Sequence, residues 1–292
     1  MALQLSPILQ ILLNGVTLGL IYALMGASLT LLWSVGGIPD FAQGGIYIIA
    51  GYAAWIVITK LGVPYLASIP IAALVGAVLS AGFEILYIYL LRKGGDLPVL
   101  LTAIALFFLL ENIAIAAWTA KPKMMPSPLT EMTIYVAGIG IAVQRLLIIG
   151  ISIALFIAID IFIKKTKTGM AIRASSEDLE IAPIMGINVN KIFLITWALG
   201  GAIVGIASTL ISPLYSVFPE MGTIPLLKGL VVVILGGLGS FGGALVAGLI
   251  LGIIEAFGAV YVSVAYQHGF AFIILLLTLS FLPRGLFGKK VG

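Results

Sequence analysis

The chain has 292 residues, 62% of them hydrophobic and only 9% charged, with a formal net charge of +4, one histidine and no cysteine. That balance excludes a water-soluble globular domain, whose helices keep one polar face. It also excludes disulfides, thiolate metal centres and a multi-histidine metal site built from this chain alone. The basic residues fall in short clusters between apolar runs, a distribution that fits membrane topology and not a nucleic-acid partner.

Crossing ~30 Å of hydrocarbon takes about 20 apolar residues. By that measure the candidate spans are Ile8–Val35, Phe41–Thr59, Pro64–Leu91, Leu97–Ala120, Leu146–Ile163, Ile192–Ser212, Ile224–Leu238, Gly242–Val262 and Val264–Leu282. The start, MALQLSP, has no basic flank, so the first run reads as a retained span and not as a signal peptide. Ile224–Leu238 is the weakest span, short and carrying Lys228, while Thr133–Val143 is too short to cross and reads as interfacial or re-entrant. The expectation is one all-α, polytopic helical bundle over residues 1–292, with eight or nine crossings in contact with membrane lipid.

Orientation follows from lysine and arginine. Of fifteen such residues, ten lie at Arg92–Lys93, at Lys164, Lys165, Lys167, Arg173 and Lys191, and at Arg284, Lys289 and Lys290. With those regions in the cytoplasm and nine crossings, the N-terminus is outside, the C-terminus inside, and the spans alternate without conflict. The largest inside segment is then 164–191. Within it Thr168–Met185 looks helical, ended or kinked by Pro183. Ser175 or Ser176 would cap a turn bearing Glu177, Asp178 and Glu180, and Gly186 would stop the helix. Leu179, Ile181, Ala182, Ile184 and Met185 give it an apolar side. That side fits a lipid-interface helix or a docking helix for a cytoplasmic partner, and the interleaved acids favour docking over an anionic membrane surface.

Two glycine-rich breaks, Trp33–Gly45 (WSVGGIPDFAQGG) and Leu235–Gly243 (LGGLGSFGG), each follow an inward crossing. The same order of crossings describes Ile8–Leu91 and Ile224–Leu282, which suggests two parallel repeats. Gly237–Gly242 has the spacing of a dinucleotide fingerprint but no soluble strand–helix–strand unit around it, and no phosphate-binding G-x-x-x-x-G-K-[ST] occurs. No cofactor is expected, and any ATP that drives this chain must be bound by another. Gly15/Gly19, Gly201/Gly205 and Gly248/Gly252 are one-turn pairs suited to close helix packing.

Glu84, Glu111 and Glu255 interrupt apolar spans, where a charge at the bilayer centre costs roughly 3 kcal/mol. Glu84 fits pairing with basic groups at the inner end of its helix. Glu111, followed by Asn112, and Glu255 either line a polar pathway or fix packing through internal hydrogen bonds. Asp160 is one turn before Lys164 and reads as its partner, and His268 reads as interfacial. No nucleophile–base arrangement emerges, so the chain is not expected to be an enzyme.

Three blocks, Asn14–Tyr52, Thr168–Ile192 and Val231–Ala256 with the closing LPRGLFG of Leu282–Gly288, resemble the membrane permease subunits of ABC importers for branched-chain amino acids. The resemblance implies half of a translocation path in a prokaryotic inner membrane. Its partners would be a second related permease, two cytoplasmic ATPases and an extracytoplasmic solute-binding protein. It further implies that the loop at 164–191 couples to the ATPase through Arg173, Ala174, Glu177, Asp178, Ala182 and Gly186. Phe41, Gln43, Glu111, Asn112 and Glu255 become candidates for the path. The family usually has histidine where Gln43 stands, so no imidazole proton is available at that turn. Relatives also carry urea, amides or other small polar solutes, which keeps a different cargo open. An ion-coupled carrier using Glu111 and Glu255, and a non-transporting scaffold, are the alternatives of other classes.

Overall fold

The computed structural model describes residues 2–136, 139–282 and 285–288. The chain runs α1 (Ala2–Gly36), α2 (Ala42–Leu61), α3 (Tyr65–Gly94), α4 (Asp96–Trp118), α5 (Pro128–Glu131), β1 (Thr133–Val136), β2 (Ile139–Ala142) and α6 (Val143–Lys165). It continues through α7 (Lys167–Glu177), α8 (Ile181–Ile184), α9 (Val189–Tyr215), α10 (Thr223–Gly236), α11 (Phe241–Tyr261) and α12 (Gln267–Phe281). Short 3-10 turns at Pro219–Gly222 and Val264–Tyr266 precede α10 and α12.

Eight helical segments among the described residues are long and apolar enough to cross a membrane, α10 doing so together with the 3-10 turn before it (Pro219–Gly236), and α12 is a shorter apolar helix. Helices suit the task because hydrocarbon offers backbone N–H and C=O groups no partner outside the segment itself. The run expected to stop short of crossing, Thr133–Val143, forms an antiparallel hairpin that pairs Thr133 with Ala142 and Ile134 with Ile141. The helix α6 holds this hairpin and the α7–α8 segment at opposite ends of the bundle, called here the hairpin end and the foot end.

At the centre is α1, apolar on every side and almost wholly shielded from Leu20 to Leu32. Its principal neighbours are α11, α10 and α9, while α3 lies along α9. The expected glycine pairs lie at these contacts. Gly15 and Gly19 of α1 face Gly248 and Gly252 of α11, and a methyl group added at Gly19 would sit 2.7 Å from the Gly248 carbonyl oxygen. Gly201 and Gly205 of α9 meet Ala72 and Gly76 of α3 in the same way. Lipid supplies no hydrophobic drive between helices, so such close approach is a principal source of their attraction.

Both glycine-rich breaks are tight turns with left-handed glycines, Gly37 (φ 72°) in the first and Gly237 (φ 96°) and Gly239 (φ 79°) in the second. The second is closed from the C-terminal side, where Leu286 N–H donates to the Leu235 carbonyl at 2.8 Å and Phe287 N–H to that of Gly236 at 3.1 Å. Three of the basic residues used for orientation, Arg284, Lys289 and Lys290, lie outside the described residues.

Candidate functional site

The foot is built by local rules. Thr166 caps α7, its Oγ1 accepting from Gly169 N–H at 2.9 Å. The chain reverses so sharply there that a methyl on Gly169 would lie 2.6 Å from Ile163 Cα. Gly169, Ile172 and Ser175 turn one side of α7 inward, and Arg173 on the exposed side reaches the Lys164 carbonyl at 3.5 Å. The helical run breaks at Asp178, before Pro183, which instead sits inside α8. The cap of this second turn is Asp178 and not Ser175 or Ser176: its Oδ1 accepts from Glu180 N–H at 2.8 Å and Ile181 N–H at 2.9 Å. A carboxylate on a two-residue reach satisfies both free amides, which a serine upstream inside α7 cannot. Gly186 ends α8 at φ 80°, as expected, and Asn188 caps α9 by accepting from Lys191 N–H at 3.1 Å.

Of the apolar residues expected on the foot, only Ala182 is buried. Ile181, Ile184 and Met185 are 55%, 81% and 75% exposed. Glu177, Asp178 and Gly186 are exposed as well, and Ala174 is half-buried.

Beside the foot, the first glycine turn carries a buried polar knot. Asp40 accepts four hydrogen bonds: Ala42 N–H at 3.0 Å and Tyr87 O–H at 2.9 Å on Oδ1, Gln43 Nε2–H and Trp197 Nε1–H at 3.1 Å each on Oδ2. Gln43 also donates to Ser80 Oγ at 3.0 Å. Burial pushes the Asp40 carboxyl above the ordinary carboxylate range, while the bonds from Gln43, Tyr87, Ala42 and Trp197 favour the charged form. Phe41 is half-buried at the entrance to α2.

The remaining candidates are dispersed. Asn112 is exposed and its Nδ2–H donates back to the Phe108 backbone carbonyl at 2.8 Å, one turn earlier on α4. Glu111 beside it is half-buried. Glu255 is fully buried against Lys228 of α10. The structure therefore brings Phe41 and Gln43 together at the foot end but keeps them apart from Glu111–Asn112 and from Glu255. Asp160 and Lys164 pair at 2.8 Å as expected. Glu84 is buried with Oε1 lacking a hydrogen-bond partner among the described residues, and the side chains of Arg92 and Lys93 are not among those described. The side chain of His268 lies outside them too.

Residues 11–279 match the family described as "Branched-chain amino acid transport system / permease component". The chain belongs to this permease family. It is 33% identical to the high-affinity branched-chain amino acid transport system permease protein BraD of Pseudomonas aeruginosa, over 96% of each chain. It is 31% identical to the permease protein LivH of the corresponding Escherichia coli K12 system, over 99% of this chain and 98% of that one. A probable LivH of Methanocaldococcus jannaschii is 29% identical over 91% and 88% of the two chains. Among solved structures, PsaBC from Streptococcus pneumoniae in complex with Fab aligns with a TM-score of 0.49 at 14% identity, covering 93% of this chain and 91% of that chain.

Two features of this permease escaped the sequence reading. Asp40 lay unremarked inside the glycine-rich break, although an acid followed three residues later by Gln43 at a helix start has the form of a capping box. Lys228 reads along the sequence as a charge weakening a short span, and its pairing with Glu255 is visible only in three dimensions. Each of the two is a charge in an apolar run, and adjacent charged spans of opposite sign are the signal that could have linked them.

Proposed function

We propose that this permease forms half of the translocation path of an ATP-driven importer for branched-chain or similar hydrophobic amino acids. It would work in a prokaryotic inner membrane with its C-terminus in the cytoplasm. A second related permease would complete the path, two ATPases would dock on the paired feet, and an extracytoplasmic binding protein would deliver the solute. Family membership and the printed functions of BraD and LivH support the solute class.

The observation that carries the division of labour is the foot. A four-residue helix with three large apolar side chains turned to solvent, capped by Asp178 and ended by Gly186, is a poor structure for an isolated chain and a good one for a docking contact. In this reading Arg173, Ala174, Glu177, Asp178, Ala182 and Gly186 shape that contact, and Ile181, Ile184 and Met185 supply its grip.

Glu111 and Asn112 on α4 are offered as the wet side of the chain. A carboxylate beside exposed Phe108, Leu109 and Ile113 would cost roughly 3 kcal/mol facing lipid, which supports water or protein on that face. Phe41 and Gln43 are assigned to closure at the foot end. Glu255, satisfied within the chain by Lys228, is assigned to packing beside the path.

The test is purification from native membranes with identification of the co-eluting chains, followed by reconstitution with radiolabelled leucine or urea. The expected result is two ATPases and a second permease bound to the wild type, ATPases lost from Ile184→Asp, and leucine taken up only with ATP and binding protein. Uphill uptake by this chain alone in vesicles would overturn the reading, and uptake of urea in place of leucine would overturn the solute class.

A further inference from the structure

Of the four donors to Asp40, one differs from the rest in where its helix leads. Ala42 and Gln43 belong to α2 and Tyr87 to α3, neither of which continues into the foot. Trp197 stands on α9, which begins at Val189 directly after the Gly186 turn and the Asn188 cap. From Val189 to Trp197 is eight residues of unbroken helix, about 12 Å at 1.5 Å per residue. A sideways push on α8 passes through the short link of residues 185–188 into α9, whose unbroken helix carries it to the Trp197 indole.

One turn beyond Trp197 the same helix is pinned. Gly201 and Gly205 lie backbone-to-backbone on Ala72 and Gly76 of α3, and a methyl on Gly201 would come within 2.5 Å of Ser80 Cβ. That contact leaves no slack and makes a fulcrum. On the foot side of it a small cavity bounded by Ile38, Val99, Ala103 and Phe193 adjoins Asp40 and the indole, which stacks on Phe193 and lies against Gly36. Loss of the indole donor would still leave Asp40 with three hydrogen bonds, so release does not strand a bare buried carboxylate, the arrangement that would be prohibitive.

We infer that the Trp197–Asp40 hydrogen bond is the joint through which the foot governs closure of the bundle at the foot end, with Trp197 as a positioning residue of the transport cycle. The inference rests on the reading of the foot as the ATPase contact. Pushing α8 tilts the first third of α9 about the Gly201–Gly76 contact and withdraws the indole from the carboxylate. The Asp40 carboxylate then keeps its donors from α2 and α3 and loses its hydrogen bond to α9.

The natural chain has no cysteine, so Ser34→Cys on α1 and Lys191→Cys at the start of α9 can carry spin labels without background. In the detergent-solubilised full chain, pulsed electron–electron resonance should give one narrow distance for the wild type. Trp197→Phe, which keeps the ring and removes the N–H, should add a second population, and Asp40→Asn should act in the same direction. Tyr87→Phe removes a donor to the same carboxylate but keeps the ring that packs edge-on against Trp197, and because α3 does not continue into the foot it should keep the single distance. In the full assembly in vesicles, Trp197→Phe should raise unstimulated ATP hydrolysis and lower solute moved per ATP by about fivefold or more. Unchanged distances and unchanged solute per ATP in Trp197→Phe would overturn the joint, as would equal effects from Tyr87→Phe. Altered distances in the solubilised Trp197→Phe chain, together with no ATP-linked uptake by the wild-type assembly, would leave the joint standing and overturn the importer reading.

Discussion

Lys228 and Glu255 face each other across α10 and α11, with both carboxylate oxygens in contact with the ammonium group and the two side chains only 4% and 0% exposed. Tyr22 of α1 completes the arrangement: its hydroxyl is 3.4 Å from Lys228 Nζ, and its ring centroid is 4.8 Å away. One ion pair thus ties three helices together.

The pair predicts an asymmetry between single and double replacement. Glu255→Gln leaves a buried ammonium without its counter-charge, and breaking one side of such a pair costs about 3–5 kcal/mol. Lys228→Met with Glu255→Met removes both charges and should recover most of that loss. Thermal unfolding in detergent measures both variants. A wild-type midpoint for Glu255→Gln alone would show that the pair holds nothing.

The glycines of α1 and α11 make a second prediction, paired with its own control. Gly19→Ala puts a methyl against the Gly248 backbone and forces the helices apart, at about 1–3 kcal/mol for overpacking. Gly82→Ala in α3 meets nothing within 4 Å and should stabilise by up to about 1 kcal/mol, since alanine is the better helix former. Equal midpoints for the two variants would contradict the close-packing account.

The spans were legible because bilayer length and loss of charge are properties of a single line of residues. Leu97–Ala120 became Asp96–Trp118, and Gly242–Val262 became Phe241–Tyr261. The glycine pairs announced that some helices would touch, but not that Gly15/Gly19 would choose Gly248/Gly252, because spacing along one helix carries no information about its partner. The same gap hid the meeting of Lys228 with Glu255 and the gathering of Tyr87 and Trp197 onto Asp40, residues up to 157 apart in sequence. At the foot the reading placed the segment and its terminal glycine correctly. It misplaced the break, because proline is tolerated in a first helical turn and so did not interrupt α8.

Asp178 offers a prediction confined to the foot. Its Oδ1 satisfies two otherwise free amides at the start of α8, and loss of such a cap costs roughly 1 kcal/mol. A four-residue helix has little else to hold it, so Asp178→Ala should loosen α8 without disturbing the bundle. The expected outcome is faster hydrogen exchange at residues 180–187, reduced ATPase retention on purification, and an unchanged unfolding midpoint. Exchange at the wild-type rate would assign the foot's shape to something other than this cap.

At the opposite end, Gln144 does for the hairpin what Asp40 does for the foot. It is fully buried, its Nε2 donates to Tyr65 Oη and to the Leu210 carbonyl at 2.7 Å each, and its Oε1 accepts from Ser127 Oγ at 3.2 Å. Tyr65 in turn donates to the Thr209 carbonyl at 3.1 Å, so one amide joins α3, α9, α6 and the segment leading into α5. Gln144→Leu keeps the volume, takes a donor from the Leu210 carbonyl and the Tyr65 hydroxyl and leaves the buried Ser127 hydroxyl without its acceptor, a loss of about 1–3 kcal/mol for an unsatisfied buried group. The unfolding midpoint should fall, and amide protection across residues 127–142 should drop while that of the foot is unchanged. If the variant lost protection at both ends alike, the two ends would be one cooperative unit, and α6 would transmit strain where the geometry has it keep them apart.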